Sequence, residues 1–99
     1  MSVKYYEGDS VRITASFYDW NGALQDLAGV KCRLYNVGRQ QIGTDITPTR
    51  VSLGTYQATV TLPSGYPSVT WEVSGTDSEG YPQLMRGELP TIWAQKGDV

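Results

Sequence analysis

The sequence predicts an all-β fold: two antiparallel sheets packed as a sandwich of about seven strands. Three observations predict it. Apolar and polar residues alternate with period two, most cleanly after the Leu53-Gly54 turn signal. There Tyr56, Ala58, Val60 and Leu62 interleave with Thr55, Gln57, Thr59 and Thr61, giving one face for a core and one for water. Turn signals built on Gly, Asn, Asp and Pro recur roughly every 8–12 residues. No segment carries a convincing helical period.

Taken in order, residues 3–6 are a short candidate strand, and Glu7-Gly8-Asp9 turns it into the next. Residues 10–18 alternate cleanly, with Val11, Ile13, Ala15 and Phe17 on one face and Arg12, Thr14, Ser16 and Tyr18 on the other, as a half-buried antiparallel strand does. Asp19-Trp20-Asn21-Gly22 follows, and Asn-Gly supplies the positive φ of a tight turn. Residues 23–29 read as a loop crossing between sheets, with a short helical turn as an option. Residues 30–35 form a strand with Val30, Cys32 and Leu34 inward, closed by Asn36-Val37-Gly38. Residues 39–43 and 46–51 are weaker strands, interrupted by Thr44-Asp45 and by Pro48, and the proline marks an edge or a bulge.

The central alternating strand ends at Pro63, which cannot donate to a ladder, and residues 63–67 form a loop. Residues 68–74 set Val69, Trp71 and Val73 against Thr70 and Glu72. Asp77-Ser78-Glu79-Gly80 is a strong turn. Residues 83–93 are the last strand. Gly87 and Pro90 break its alternation, and a bulge at Gly87 would reconcile the two parities. Residues 95–99 read as a frayed tail, leaving one domain with its core over about residues 3–94. The architecture expected is an immunoglobulin-like sandwich, its core supplied by the strands beginning near Ser10, Val30, Thr55, Ser68 and Gln83.

The bulk numbers set bounds on function. The 99 residues suit a single domain. A net charge of −2 with no run of Lys or Arg argues against nucleic-acid binding and against a polybasic membrane anchor. No apolar run approaches the roughly 20 residues of a membrane helix. Met1-Ser2-Val3-Lys4-Tyr5-Tyr6 lacks a signal-peptide core, so secretion is not expected. The lone Cys32 cannot form an intramolecular disulfide and sits at a core parity.

Chemistry is sparse. With no histidine, His-based triads and His metal ligands are excluded. One cysteine excludes a zinc knuckle, and no phosphate-cradling glycine motif occurs. Asp19, Asp26, Asp77 and Glu79 fall in two loops that a sandwich places at one end. Hard oxygen ligands of that kind suit calcium, but Asp and Asn beside Gly are first of all turn formers. A glycosidase pair would need a cleft holding two carboxyls about 5–9 Å apart, which a small sandwich rarely offers. The expectation is no enzyme, no cofactor and no resident metal.

Aromatics are the better clue. The chain has three Trp and seven Tyr against one Phe, more large rings than so small a core holds. Tyr18 and Tyr35 carry the wrong parity for the core. Trp20, Tyr66 and Tyr81 fall in loops, and Trp93 ends the last strand. These six are the candidate interface residues, because Trp and Tyr bury much area for little side-chain entropy. Covering the sandwich ends is the plainer use of the same rings, and stacking on sugar rings is a third.

The ordered motifs Tyr6-Glu7-Gly8-Asp9-Ser10-Val11-Arg12-Ile13, Phe17-Tyr18-Asp19-Trp20-Asn21-Gly22, Gly54-Thr55-Tyr56, Leu62-Pro63, Trp71-Glu72-Val73 and Gly75-Thr76-Asp77-Ser78-Glu79-Gly80 resemble bacterial and phage immunoglobulin-like modules. The resemblance covers about residues 6–93 and is nearest to small tailed-bacteriophage virion structural proteins. Ala58 stands where antibody-type domains carry their second cysteine, so their inter-sheet disulfide is absent. The resemblance implies a non-enzymatic virion protein, made in the bacterial cytoplasm, that docks in multiple copies or as a homo-oligomer onto capsid, neck or tail subunits. It implies neither nucleic acid nor membrane as a partner. The alternative is a carbohydrate- or host-surface-binding module of the same fold.

Overall fold

The structure is a computed structural model, and it describes residues 5–6, 8–63, 65–66 and 68–92. Eight strands follow one another: β1 (Tyr5–Tyr6), β2 (Ser10–Ser16), β3 (Ala28–Tyr35), β4 (Gln41–Ile46), β5 (Thr49–Ser52), β6 (Thr55–Thr61), β7 (Ser68–Thr76) and β8 (Pro82–Ile92). They build a five-stranded sheet in the order β1-β8-β7-β3-β4 and a three-stranded sheet in the order β2-β6-β5. All pairings are antiparallel except the short parallel contact of β1 with β8. Placing β2, β6 and β5 in one sheet and β3, β7 and β8 in the other is the B-E-D and C-F-G division of an immunoglobulin-type sandwich.

The alternating residues do what their parity dictates. Val11, Ile13 and Ala15 on β2 face Tyr56, Ala58 and Val60 on β6, in a register that runs unbroken from Ser10↔Thr61 to Ser16↔Thr55. From the opposite sheet come Val30, Cys32 and Leu34, then Val69, Val73 and Leu89. Phe17, Leu27 and Leu62 close the ends. Cys32 is wholly inaccessible, and burial pushes its thiol pKa up. It is a small hydrophobe in the core rather than a nucleophile.

Several expectations need correction. No bulge interrupts β8 at Gly87: the register runs evenly from Ser68↔Pro90 to Thr76↔Pro82. Glycine stands there because the Trp71 indole lies over it. A Cβ at residue 87 would fall 2.5 Å from that ring. Trp71 is accordingly half-buried against the core, beneath the strand it faces. Strand β4 is continuous across Thr44-Asp45, but its pairing is interrupted there as expected: the register jumps from Leu34↔Ile42 to Cys32↔Ile46, so residues 43–45 bulge opposite Arg33. Strand β5 begins only after Pro48. The crossing from β2 to β3 contains no helical turn; it is held by side chains instead, as described below. The expected strand at 3–6 is seen at Tyr5–Tyr6, while Val3, Lys4, Trp93 and the tail lie outside the described residues.

The outer face of the five-stranded sheet carries a charge row. Arg33 and Arg86 flank Glu72 in cross-strand register. Arg86 Nε donates to Glu72 Oε2 at 2.9 Å, and Glu72, though on the solvent side, is only 8% exposed. Arg33 instead forks onto Asp45, Nε to Oδ1 at 2.9 Å and NH2 to Oδ2 at 3.1 Å, with Gln41 donating to the same carboxylate at 2.8 Å.

Candidate functional site

Three turns share one construction. In the first, the Asp19 N–H donates to the Ala23 carbonyl and the Gly22 N–H to the Asp19 carbonyl. Asp19 Oδ1 accepts from the Asn21 and Ala23 amides at 2.8 and 3.0 Å. The second repeats this with Asp77, Gly80 and Tyr81, and Asp77 Oδ1 accepts from Glu79 and Tyr81, both at 2.9 Å. The third uses Asn36, Arg39 and Gln40. The fourth residue needs a positive φ: Gly22 and Gly80 supply it freely, while Arg39 is held there at 64°. Asx side chains at the first position are what the backbone amides demand.

The first two turns stand at the same end of the sandwich, because β2 leaves and β3 enters where β7 hands over to β8. Between them lies a trough of about 520 Å³. Tyr18, Asp19, Trp20 and Gln25 form one wall, and Asp77, Ser78, Glu79 and Gln83 the other. Trp20 rides the apex of its turn with 93% of its surface exposed. Tyr18 and Tyr81 are each more than half exposed, and Leu24 and Leu53 add apolar surface at the same end.

What holds this end rigid lies beneath it. The buried Tyr56 hydroxyl accepts from the Leu27 N–H at 3.0 Å and donates to the Leu27 carbonyl at 3.2 Å, pinning the crossing loop to β6. Its ring meets Phe17 edge to face, centroids 6.2 Å apart. One residue away, Asp26 Oδ1 accepts from the Gly54 amide at 2.7 Å and from Arg50 Nε at 3.0 Å. Gly54 has φ 67° and packs so closely that a Cβ would lie 2.8 Å from the backbone of Gln25. Gln25 in turn donates from Nε2 to the Tyr18 carbonyl at 3.0 Å.

The same contacts decide the carboxylate chemistry. The Arg50 hydrogen bond, and after it the Gly54 amide, hold the Asp26 carboxyl below its ordinary pKa. Asp77 is lowered chiefly by the Tyr81 amide. Asp19 and Asp77 direct Oδ1 at amides of their own turns, and Asp26 is clamped by an arginine. The calcium alternative therefore finds Oδ1 of Asp19 and of Asp77 turned to backbone amides and Asp26 held by Arg50, and the described residues hold no cluster of three or more acidic or thiol groups able to cage an ion.

Of the six candidate aromatics, the structure brings Tyr18, Trp20 and Tyr81 to one end. Tyr35 lies elsewhere, half-buried in a second hollow of about 580 Å³ on the outer face of the five-stranded sheet, beside Thr70, Glu72, Arg86 and the Arg39 turn. Tyr66, between β6 and β7 at the far end, packs half-buried against the core. Trp93 lies outside the described residues. The clasp of Asp26, Arg50 and Gly54 and the Tyr56 pin escaped the sequence reading. The one signal for the pin was a tyrosine at a core parity, since a buried phenol needs a polar partner.

No protein-family profile matches the sequence, and no curated protein is detectably similar to it. Among solved structures, the chain is similar to a DUF4785 family protein from Legionella pneumophila, with a TM-score of 0.63 over 91% of this chain at 18% identity. The match takes up 26% of that protein, so this chain spans about a quarter of its length. At that identity, the two share a sandwich fold and nothing further follows.

Proposed function

We propose that the chain is a non-enzymatic docking module that anchors on another protein through its aromatic loop end. The observation that carries this reading is Trp20: a large ring, almost wholly exposed, on a loop fixed by four hydrogen bonds within its own turn. A ring displayed on a rigid loop forfeits little entropy on binding, which is how hot-spot tryptophans act. Tyr18 and Tyr81 flank it as further amphipathic surface. The motif resemblance supplies the setting: a tailed-phage particle, with capsid, neck or tail subunits as the partner and several copies per particle.

The test is titration of the purified protein against purified capsid, neck and tail subunits by calorimetry. Trp20→Ala should weaken binding about 30-fold or more, the loss of a hot spot worth about 2 kcal/mol or above. Its unfolding midpoint should not move, because the ring packs on nothing. Equal affinity of wild type and variant would refute the docking role. Binding to a glycan panel that Trp20→Ala abolishes, with no subunit bound, would replace it with the sugar-binding reading.

A further inference from the structure

We infer that the free edge of β2 pairs with β2 of a second copy, joining two three-stranded sheets across a two-fold axis. A sandwich of this topology has four sheet edges: β1 and β4 in the larger sheet, β2 and β5 in the smaller. An open edge presents unpaired N–H and C=O groups, and proteins blunt such edges with brevity, bulges, prolines or charges. Three of these four are blunted. β1 is two residues long among the described residues. β4 carries a register shift, Gly43 at φ 73° and Asp45. β5 is four residues, follows Pro48, carries Arg50 and is out of register with β6 at one point.

β2 has none of these devices beyond Arg12. It is seven residues long and regular throughout, without proline or glycine. In an antiparallel ladder, residues alternate in directing their backbone groups toward the partner strand. Phe17 N–H donates to Gly54 O at 2.9 Å and Asp9 O accepts from Leu62 N–H at 2.9 Å, so the odd-numbered residues of β2 face β6. Ser10, Arg12, Thr14 and Ser16 therefore direct their N–H and C=O outward, where no strand lies among the described residues.

This edge is complementary to itself. Centred on Ile13, an antiparallel pairing sets Ser10 opposite Ser16 and Arg12 opposite Thr14 of the other copy, all four with outward backbone groups. That closes about eight main-chain hydrogen bonds. Val11 then meets Ala15 and Ile13 meets Ile13 on the inner face, which extends both cores, while hydroxyls continue the outer face. The two Arg12 side chains fall on a diagonal rather than directly opposite, avoiding the like-charge pair that penalises a strand register. A single strand edge buries area at the low end for specific complexes, so the dimer is concentration-dependent. The edge lies apart from the Trp20 loop and stands or falls independently of it.

The test is sedimentation equilibrium across a concentration series. The wild type should run from monomer to dimer. Thr14→Pro removes one outward N–H while leaving every β6 bond in place, and it should stay monomeric; Thr14→Val should dimerise as wild type does. To cover a proline variant that fails to fold, Arg12→Cys and Thr14→Cys chains are oxidised in a Cys32→Ala background. Their equimolar mixture should cross-link several-fold faster than either alone, because residue 12 of one copy faces residue 14 of the other, while 12 and 12 or 14 and 14 lie on diagonals. A monomer at every concentration, a dimer indifferent to Thr14→Pro, or equal cross-linking in the mixture and the separate chains would overturn the proposal.

Discussion

Replacing Tyr56 by phenylalanine removes one oxygen and keeps the ring, so the Phe17 contact and the core volume survive. What is lost is the pin on Leu27. Its N–H, buried and bonded only to the phenol, is left without a partner, at a cost of about 1–3 kcal/mol; the carbonyl loses a bond worth about 1 kcal/mol. The sum is about 2–4 kcal/mol out of the 5–15 kcal/mol or so typical of a domain. At about 4–8 °C per kcal/mol for this chain length, the thermal midpoint should fall by about 8–30 °C. Urea unfolding followed by tryptophan fluorescence measures it, with the slope m unchanged because the exposed area on unfolding is the same. A loss below about 0.5 kcal/mol would mean that the crossing loop is held by its other contacts and that the pin is incidental.

Other outcomes are equally direct. Gly87→Ala drives a methyl into the Trp71 ring and should cost about 1–3 kcal/mol, read by the same urea titration and by a changed Trp71 near-ultraviolet signal. Arg39→Gly relieves a left-handed residue at the price of unfolded-state entropy and should raise stability by up to about 1 kcal/mol. The Arg33 guanidinium, then Gln41, hold the Asp45 carboxyl at about 2, below its ordinary 3.8. Its folded form therefore favours the charged state: the stabilisation is complete above about pH 4 and disappears as the pH falls through about 2. Asp45→Asn should flatten that part of the acid-unfolding curve, measured by circular dichroism. Cys32, wholly buried, should resist a thiol reagent in the native protein and react at once in urea.

The core was legible because period-two alternation is a backbone property: Tyr56, Ala58, Val60 and Leu62 needed only to be counted. Faces were therefore readable, and neighbours were not. Nothing in Gly87 distinguishes a bulge from a seat for a ring, since both need an absent side chain, and only the cross-strand register shows Trp71 above it. Asp45 marked an interruption because a lone carboxylate disfavours strands, and it does lie in the register shift of β4; what the pattern did not show is that Arg33 on the next strand forks onto it there. At the loop end, Tyr18, Trp20 and Tyr81 were identifiable from parity and from the two Asp-x-x-Gly turns. Their meeting at one end followed from topology. Tyr66 is a loop residue by the same logic, and its packing back onto the core, half-buried, is a long-range contact that no local pattern shows. Asp26 was grouped with the other loop carboxylates, and its bond to Arg50 spans 24 residues, beyond any local pattern.

The parallel contact of β1 with β8 has a mechanical consequence. The first and last described strands run side by side in the same direction, so tension between the two flanks of the sandwich is directed along the strands rather than across them. Bonds loaded that way share the force and rupture together, whereas a hairpin pulled open at its ends yields one bond at a time. The nine register pairs between β7 and β8 secure the outgoing flank. Among the described residues the incoming flank rests on two, Tyr5↔Thr91 and Tyr6↔Ile92. Under load, the few β1–β8 bonds would give way together and before the β7–β8 ladder, leaving the rest of the two sheets intact: a short compliant link in series with a stiff block.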